Sequence, residues 1–314
     1  MKHIHELLSL LELEQLEEDL FRGNSKSVGS STVFGGQVLA QSLYAAMKTV
    51  PNDREVHSLH SYFILPGDLE IPIVFQVERI RDGGSFTTRR VKAIQKGEPI
   101  FFMSASFQLA QDGFDHQIAM PNVSPPDWLV SWEDLAQKFG EMLPENIRTF
   151  LNLERPIEFR PVELVNPALP TKSQPFRHIW MKAKGEMPKD PQTHQCVLAY
   201  TSDYNLLTTA LLPHGSEASF GNVKIASLDH AMWFHRPFRS RRAQRAHDDL
   251  LLQSAPRARP RRRPLGPRRC DDPIAPRAHD CPGRLAGVRP HGHRDRRGSR
   301  GAAPVSHSRH WRHS

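Results

Sequence analysis

The first 110 residues contain two kinds of hydrophobic periodicity. Apolar residues recur at helical spacing in segments 7–20 and 37–50, and from His57 onward they alternate with polar residues as in a strand. Segment 101–109 alternates most regularly. Turn signals separate the strand-like segments at Pro66-Gly67-Asp68, Asp82-Gly83-Gly84 and Lys96-Gly97-Glu98. The pattern predicts an N-terminal helix, and then a second helix followed by four antiparallel strands with one face on a core.

A similar order of segments begins again near Arg155. A strand-like segment at 177–183 leads to a helix from about 194 to 212, and a further strand is predicted at 223–234. Three more strands would be needed to complete this second copy, but no alternating apolar run follows residue 240. We therefore predict an α+β protein built from two helix-plus-antiparallel-sheet repeats, of which the second is incomplete.

These segments divide the chain into four parts. The first repeat takes residues 1–110, a linker with a helix takes 111–154, and the second repeat takes 155–238. The remaining residues, 239–314, include 20 Arg and nine Pro but no Lys, Glu, Phe or Tyr. A segment of this composition buries little apolar surface, so the tail is predicted to be disordered or translated out of frame.

The net charge of the chain originates in this tail. The formal charge is +8 at pH 7, but residues 239–314 carry +14 and the first 238 residues carry −6. The tail has three interpretations: a native Arg-rich arm for nucleic acid or membrane, an extension without function, and a frameshift product. We favour the frameshift, because GC-rich codons read out of register yield Arg, Pro and Ala in place of Lys and Phe. An arm that binds single-stranded nucleic acid would also have aromatic residues between its arginines, and Trp311 is the only aromatic residue of the tail.

No nucleic-acid or membrane partner is therefore expected. No apolar run approaches the length that a bilayer requires, and the N-terminal segment is acidic and amphipathic, unlike a secretory signal. With only three cysteines in the chain, a cytoplasmic location is predicted. The spacing between Cys270 and Cys281 matches no common zinc pattern, and no metal site is predicted.

Asp203 is the most unusual polar residue of the second predicted helix. It fills the one remaining place on an apolar stripe formed by Cys196, Ala199, Leu206 and Ala210. A buried carboxylate must be hydrogen-bonded, paired with a charge, or shifted to a higher pKa. Two interpretations are open at this point: a general base with a tuned pKa, or a structural aspartate that caps a neighbouring backbone.

Other candidate residues lie before or after these helices. Ser227, on the strand that follows, could lie opposite Asp203 and hold a water beside it, although an ordinary strand serine is the alternative. Gly35 and Gly36 open a helix, where a backbone amide can approach a phosphate or a carbonyl oxygen. His57 and His60 are three residues apart on a strand and are predicted to face opposite ways, which excludes one shared metal site.

Several longer motifs follow one another along the chain. They are Val33-Phe34-Gly35-Gly36-Gln37, His57-Ser58-Leu59-His60-Ser61-Tyr62-Phe63, Pro66-Gly67-Asp68, Arg81-Asp82-Gly83, Ser85-Phe86, Arg89-Arg90-Val91, Ser202-Asp203-Tyr204-Asn205 and a run from Ser227 to Pro237. Over residues 5–239 this set resembles the type II acyl-CoA thioesterases. The resemblance implies a double hot-dog fold, hydrolysis of fatty acyl-CoA to free fatty acid and CoA, no cofactor, and assembly into a homo-oligomer.

The resemblance also implies a set of site residues. Asp203, Ser227 and a Gln from a late strand would orient a water for attack on the thioester carbonyl, without a covalent acyl-enzyme. Expected substrate contacts are Gly35 and Gly36, with Arg89 and Arg90 as candidates for the CoA phosphates. The family's Gln stands in a Gln-Glu-Gly motif, which is absent here, since the last Gln is Gln253.

Little or no activity is therefore expected of this chain. A non-catalytic acyl-CoA-binding remnant is one alternative. Nucleic-acid binding through the tail is another. A hot-dog hydratase or an acyl-carrier-protein thioesterase is the alternative among enzymes.

Overall fold

The computed structural model of the protein describes residues 1–111, 118–165, 171–217, 222–234 and 249–254, the last of these as backbone. The helices are α1 (Ile4–Leu11), α2 (Gly35–Met47), α3 (Trp132–Phe139), α4 (Glu145–Leu151), α5 (Pro191–Ser202) and α6 (Leu206–Leu211). The strands are β1 (Glu14–Glu17), β2 (Leu20–Gly23), β3 (Arg54–Phe63), β4 (Ile73–Asp82), β5 (Phe86–Gln95), β6 (Glu98–Leu109), β7 (Ile157–Pro161), β8 (Arg177–Ala183), β9 (Asp229–Trp233) and β10 (Asp249–Ser254).

The larger sheet combines strands of both repeats. Its order is β1-β2-β4-β5-β6-β3-β9, and every neighbouring pair is antiparallel. The four strands predicted after the second helix are therefore present. Strand β9 belongs to the second repeat. It lies at the edge of this sheet and pairs with β3, with Ala231 opposite His60. The two repeats thus share one continuous sheet.

Helix α2 forms the centre of the core. Almost all of its side chains are buried, because the strands of the large sheet cover one side and α5 packs on another. The sulfur of Cys196 in α5 lies 3.6 Å from that of Met47 in α2. Two buried glutamines of α2 also bond to each other, since Gln37 Nε2 donates to Gln41 Oε1 over 3.2 Å. Gln41 in turn donates to the carbonyl oxygens of Leu10 and Asn24.

The N-terminal prediction was wrong in part. The helix ends at Leu11, and residues 14–23 form the hairpin β1–β2 instead of continuing it. The turn of this hairpin contains Asp19 at φ 58°, a conformation that a helix does not allow. Leu20 therefore begins β2, where it lies opposite Gln76 of β4.

The predicted orientation of the two histidines in β3 was also wrong. The pairing of β3 with β6 skips His57, so that Val56 lies opposite Phe107 and Ser58 lies opposite Ser106. This β-bulge shifts the alternation by one residue. His57 reaches the Ser106 hydroxyl on the outer face, with 2.7 Å between Nε2 and Oγ. His60 lies on the same face, against the ring of Trp233.

The smaller sheet contains the strand that the sequence did not predict. Its order is β10-β8-β7, and β10 pairs with β8 from Asp249 opposite Lys182 to Ser254 opposite Arg177. The expectation that no strand follows residue 240 is wrong for this segment. Its three consecutive leucines form a continuous apolar run, which a search for alternation does not detect. The rest of the predicted tail, 239–248 and 255–314, lies outside the described residues.

Replacing Gln41 with Leu tests the polar link between α1, α2 and β2. We expect the free energy of unfolding to fall by about 2 kcal/mol, because the Leu10 carbonyl oxygen loses its buried donor and the buried Gln37 side chain loses its acceptor at Gln41 Oε1. The Asn24 carbonyl oxygen keeps its hydrogen bond from Gln37 Nε2. Urea unfolding of Gln108→Leu is the matched control, since Gln108 is exposed on β6 and its replacement should change stability by less than about 0.5 kcal/mol. Equal stability of the two variants would show that the hydrogen bonds of Gln41 do not stabilise the fold.

Candidate active site

Asp203 lies at the end of a helix and not within one. The predicted single helix 194–212 is divided into α5 and α6, because Asn205 adopts a left-handed conformation with φ 68°. Asn tolerates this conformation better than most residues. Asp203 therefore becomes the C-cap of α5. Its side chain is only 7 % exposed.

The carboxylate of Asp203 is packed against the first turn of α2. A Cβ atom on Gly35 would lie 2.6 Å from Asp203 Oδ2, and one on Gly36 would lie 2.3 Å from the carbonyl oxygen of Tyr200. Only glycine fits such an approach. The backbone amide of Gly36 donates a hydrogen bond to the carboxylate. A helix N-terminus also favours negative charge at this place.

Ser227 lies on the other side of the carboxylate. Its hydroxyl donates to Asp203 Oδ1 over 3.4 Å, a long hydrogen bond. The predicted strand 223–234 begins only at Asp229, so Ser227 belongs to an extended segment that precedes β9. The structure thus brings together Asp203, Ser227 and the first turn of α2, the three groups that the sequence placed at one site.

Burial is the main influence on the charge of Asp203. It raises the pKa of the carboxyl from 3.8 to about 6, while the hydrogen bonds from Gly36 and Ser227 oppose the rise. Such a group is mostly ionised at neutral pH. Its pKa is also close enough to the surrounding pH to make it an effective proton acceptor.

His230 is a member of this cluster that the sequence did not single out. Its Nδ1 lies 3.8 Å from Asp203 Oδ1, and its Nε2 lies 3.0 Å from the hydroxyl oxygen of Ser202. Strict alternation along the predicted strand 223–234 would place Ser227 and His230, three residues apart, on opposite faces. In β9, however, His230 is buried and Asp229 is exposed. Because Ser227 precedes the strand, both side chains can reach Asp203.

Two sequence profiles of one family match this chain. The profile described as acyl-CoA thioesterase N-terminal domain matches residues 22–108, and the profile described as acyl-CoA thioesterase matches residues 148–254. Acyl-CoA thioesterase 2 of Haemophilus influenzae is 43% identical over 235 residues, which cover 75% of this chain and 82% of that protein. Acyl-coenzyme A thioesterase 8 of Homo sapiens is 43% identical over 240 residues, covering 74% and 75%.

The chain belongs to the acyl-CoA thioesterase family. A solved structure titled acyl-CoA thioesterase II TesB2, from Mycobacterium marinum, superposes on this thioesterase with a TM-score of 0.60 at 42% identity, covering 79% of this chain and 83% of that one. The type II resemblance and the double hot-dog fold are thereby confirmed. The second profile also extends to residue 254, beyond residue 239, where the resemblance based on motifs ends, and so includes β10.

Arg89 of this thioesterase has a structural role that the sequence did not predict. Its side chain is buried, and all five N–H donors of the guanidinium have partners: the hydroxyl and the carbonyl oxygen of Thr49, the carbonyl oxygens of Arg81 and Thr88, and the carboxylate of Asp82. No donor is left for a CoA phosphate. The expected substrate contact through Arg89 is therefore contradicted by its position.

The remaining predicted contacts lie on the surface or at the helix start. Arg90 is half-exposed on the outer face of β5, where it faces Glu78 at 3.4 Å. Its contact with CoA stays a prediction, as do the substrate contacts of Gly35 and Gly36. Among the described residues, no three His, Cys, Asp or Glu side chains are grouped to hold a metal ion. No described helix is long and apolar enough to cross a membrane.

The position of Arg89 leads to a prediction about stability. We expect Arg89→Met to lower the free energy of unfolding by about 3 kcal/mol, because three part-buried carbonyl oxygens, a hydroxyl and the Asp82 carboxylate lose a charged donor. Arg90→Met should change it by less than about 0.5 kcal/mol, since that side chain is exposed. Urea unfolding of both variants makes the comparison, and an equal loss in both would show that Arg89 is not specially bonded.

The raised pKa of Asp203 leads to a second prediction. The folded protein holds a proton on Asp203 that the unfolded chain releases between about pH 4 and about pH 6, so the carboxyl makes folding less favourable as pH rises through this range. As pH rises through this range, the free energy of unfolding of the natural chain should fall by up to about 3 kcal/mol relative to that of Asp203→Asn. Above about pH 6 the difference between the two should stay constant. Urea unfolding at a series of pH values measures the difference. A difference that does not vary with pH would contradict the raised pKa.

Proposed function

We propose that this chain hydrolyses fatty acyl-CoA to free fatty acid and CoA at the site formed by Asp203, Ser227 and the first turn of α2. One observation carries the proposal: a buried carboxyl with a pKa of about 6 lies between a hydroxyl and a helix N-terminus. Attack of water on a thioester requires a proton acceptor, a group that orients the water, and a positive partial charge such as the N-terminal end of a helix dipole.

The reaction follows from these positions. Ser227 and Asp203 hold a water, and Asp203 takes its proton as the water oxygen attacks the thioester carbonyl carbon. The N-terminal end of α2 offsets the negative charge that develops on the carbonyl oxygen. Because the amide of Gly36 is bonded to Asp203, the amide of Gly35 is the better candidate for that oxygen. The intermediate then collapses, the C–S bond breaks, and the thiolate leaves and takes up a proton.

We further propose that this chain is a slow enzyme. The family's third group, a Gln within Gln-Glu-Gly, is absent from the sequence. Gln253, the last Gln, lies on β10, where its backbone pairs with His178 and not with a strand next to Asp203. Loss of one positioned polar group in an active site costs on the order of 100-fold in turnover. A non-catalytic acyl-CoA-binding protein is the second candidate, and the missing Gln favours it.

Acyl-CoA is the proposed partner in both cases. Assembly into a homo-oligomer and a cytoplasmic location stay predictions.

Release of free thiol from decanoyl-CoA and palmitoyl-CoA tests the proposal. We expect slow hydrolysis by the natural chain, no hydrolysis by Asp203→Ala, and a loss of about 10-fold or more in Ser227→Ala. Asp53→Ala and Ser104→Ala remove an exposed carboxylate and an exposed hydroxyl, and they should leave the rate unchanged. All variants are first compared by circular dichroism.

The possible outcomes separate the candidates. Hydrolysis that persists in Asp203→Ala would contradict the proposed site. A rate equal to that of a relative with Gln-Glu-Gly would contradict the proposed impairment. Tight acyl-CoA binding without hydrolysis would favour the non-catalytic candidate.

A further inference from the structure

The imidazole of His230 contacts the side chains of two consecutive residues. Its Nε2 lies 3.0 Å from Ser202 Oγ, and its Nδ1 lies 3.8 Å from Asp203 Oδ1. Ser202 is the last residue of α5, and Asp203 is its C-cap. A single ring on β9 therefore contacts the end of the helix that carries the proposed base.

The backbone that carries this ring is also held, through the pairing of β9 with β3. His230 lies opposite Ser61 in the pairing of β9 with β3, and the Ser61 hydroxyl donates to the His230 carbonyl oxygen over 3.0 Å. Burial lowers the pKa of His230, so the ring is neutral at neutral pH. A neutral imidazole has one N–H and one lone pair. The nitrogen that carries the proton decides which of them faces Asp203.

The hydrogen bonds of Ser202 determine this tautomer. Its Oγ lies 2.8 Å from the carbonyl oxygen of Ala199, which can only accept, and 3.2 Å from the sulfur of Met232, a weak acceptor. The single hydroxyl proton is used for Ala199, so Oγ accepts from Nε2–H of His230. The lone pair of Nδ1 then faces Asp203. Two facing lone pairs explain why Nδ1 and Oδ1 are 3.8 Å apart, beyond hydrogen-bond range.

We propose that His230 is a positioning residue of the thioesterase site, whose Nδ1 accepts a hydrogen bond from the protonated carboxyl of Asp203. This inference rests on the proposed role of Asp203 as the base. When Asp203 has taken a proton from water, its O–H points at the lone pair of Nδ1. A shift of about 1 Å brings the two atoms to hydrogen-bond distance. His230 thus stabilises the form of Asp203 that exists after the attack, without touching the substrate.

The Ser227 hydroxyl lies 3.4 Å from Asp203 Oδ1 and donates to it, and it is assigned to the attacking water. The other groups around Asp203 and His230 do not supply an acceptor for the protonated carboxyl. Tyr204 bonds to Tyr200 with 3.2 Å between the hydroxyl oxygens, and burial raises the pKa of both, so they are neutral. Asp229 of β9 is exposed, and its charge opposes the effect of burial on the pKa of His230. From α2 the contact is the Gly36 amide, a donor. From β3 it is Ser61, whose hydroxyl is bonded to backbone.

A 15N NMR spectrum of the full chain with labelled histidine tests the tautomer of His230 and requires no turnover of substrate. The signals of His230 are assigned by their loss in His230→Asn. We expect the Nε2–H tautomer at pH 8. We also expect the Nδ1 signal to shift in Asp203→Asn, because the side-chain amide of that variant can donate to the lone pair. The Nδ1–H tautomer, or an Nδ1 signal unchanged in Asp203→Asn, would overturn the inference.

A second measurement uses Ser202→Ala, which retains the ring. Without Oγ to receive Nε2–H, the ring is free to place its proton on Nδ1 and to donate to the ionised carboxylate. The pKa of Asp203 should then fall by about one unit, read from the pH dependence of unfolding relative to the same chain with Asp203→Asn. Ser42→Ala removes another buried hydroxyl, on α2, and should leave this pKa unchanged. A pKa that stays constant or rises in Ser202→Ala would overturn the inference.

The two proposals fail in different ways. If both measurements give the expected results and no acyl-CoA is hydrolysed, the proposed function is wrong and the contact between His230 and Asp203 remains. If hydrolysis depends on Asp203 and the tautomer is Nδ1–H, the proposed function holds and the role assigned to His230 is wrong.

Discussion

The close approach of the end of α5 to the start of α2 is the contact on which the site depends. It places an ionisable carboxyl where little of its surface is exposed to solvent and where a helix N-terminus offers an amide. Gly35 and Gly36 make the approach possible, since a Cβ atom at either position would meet another atom at 2.6 Å or less. The cost of burying the charge is offset only in part, and the remainder appears as the raised pKa of Asp203. The same contact therefore joins the two repeats and tunes the proposed base.

Both repeats contribute to this site. The first repeat supplies α2, and the second supplies α5, Ser227 and β9. The continuous pairing of β3 with β9 holds the two contributions in register, with Ser61 bonded to the carbonyl oxygen of His230. Neither repeat by itself has both the carboxylate and the helix start. The duplication predicted from the sequence is thus also the reason for the position of the site.

Local patterns predicted much of the fold and part of the site. Alternation and turn signals indicated β3 to β6. The place of Asp203 on an apolar stripe indicated a buried carboxyl. The features that were missed depend on partners distant in the sequence. The bulge at His57 follows from the pairing with β6, the break at Asn205 from a single left-handed residue, and the contact of His230 from the sheet that β9 joins. Arg89 was expected to contact a CoA phosphate, because no local signal shows that Thr49 and the end of β4 take up the hydrogen-bond donors of its guanidinium.

The place of β9 in the large sheet has a consequence for synthesis of the chain. Strand β3 lies between β6 and β9, and the residues that pair across the second boundary, such as Ser61 and His230, are 169 positions apart. When the first repeat has left the ribosome, one side of β3 is an open hydrogen-bonding edge until the second repeat emerges. Such edges recruit strands from other chains. The time for which this edge is exposed depends on how long the ribosome takes to synthesise the linker and the second repeat. A pause in translation between residues 111 and 228 would therefore favour aggregation of the nascent chain over completion of the sheet.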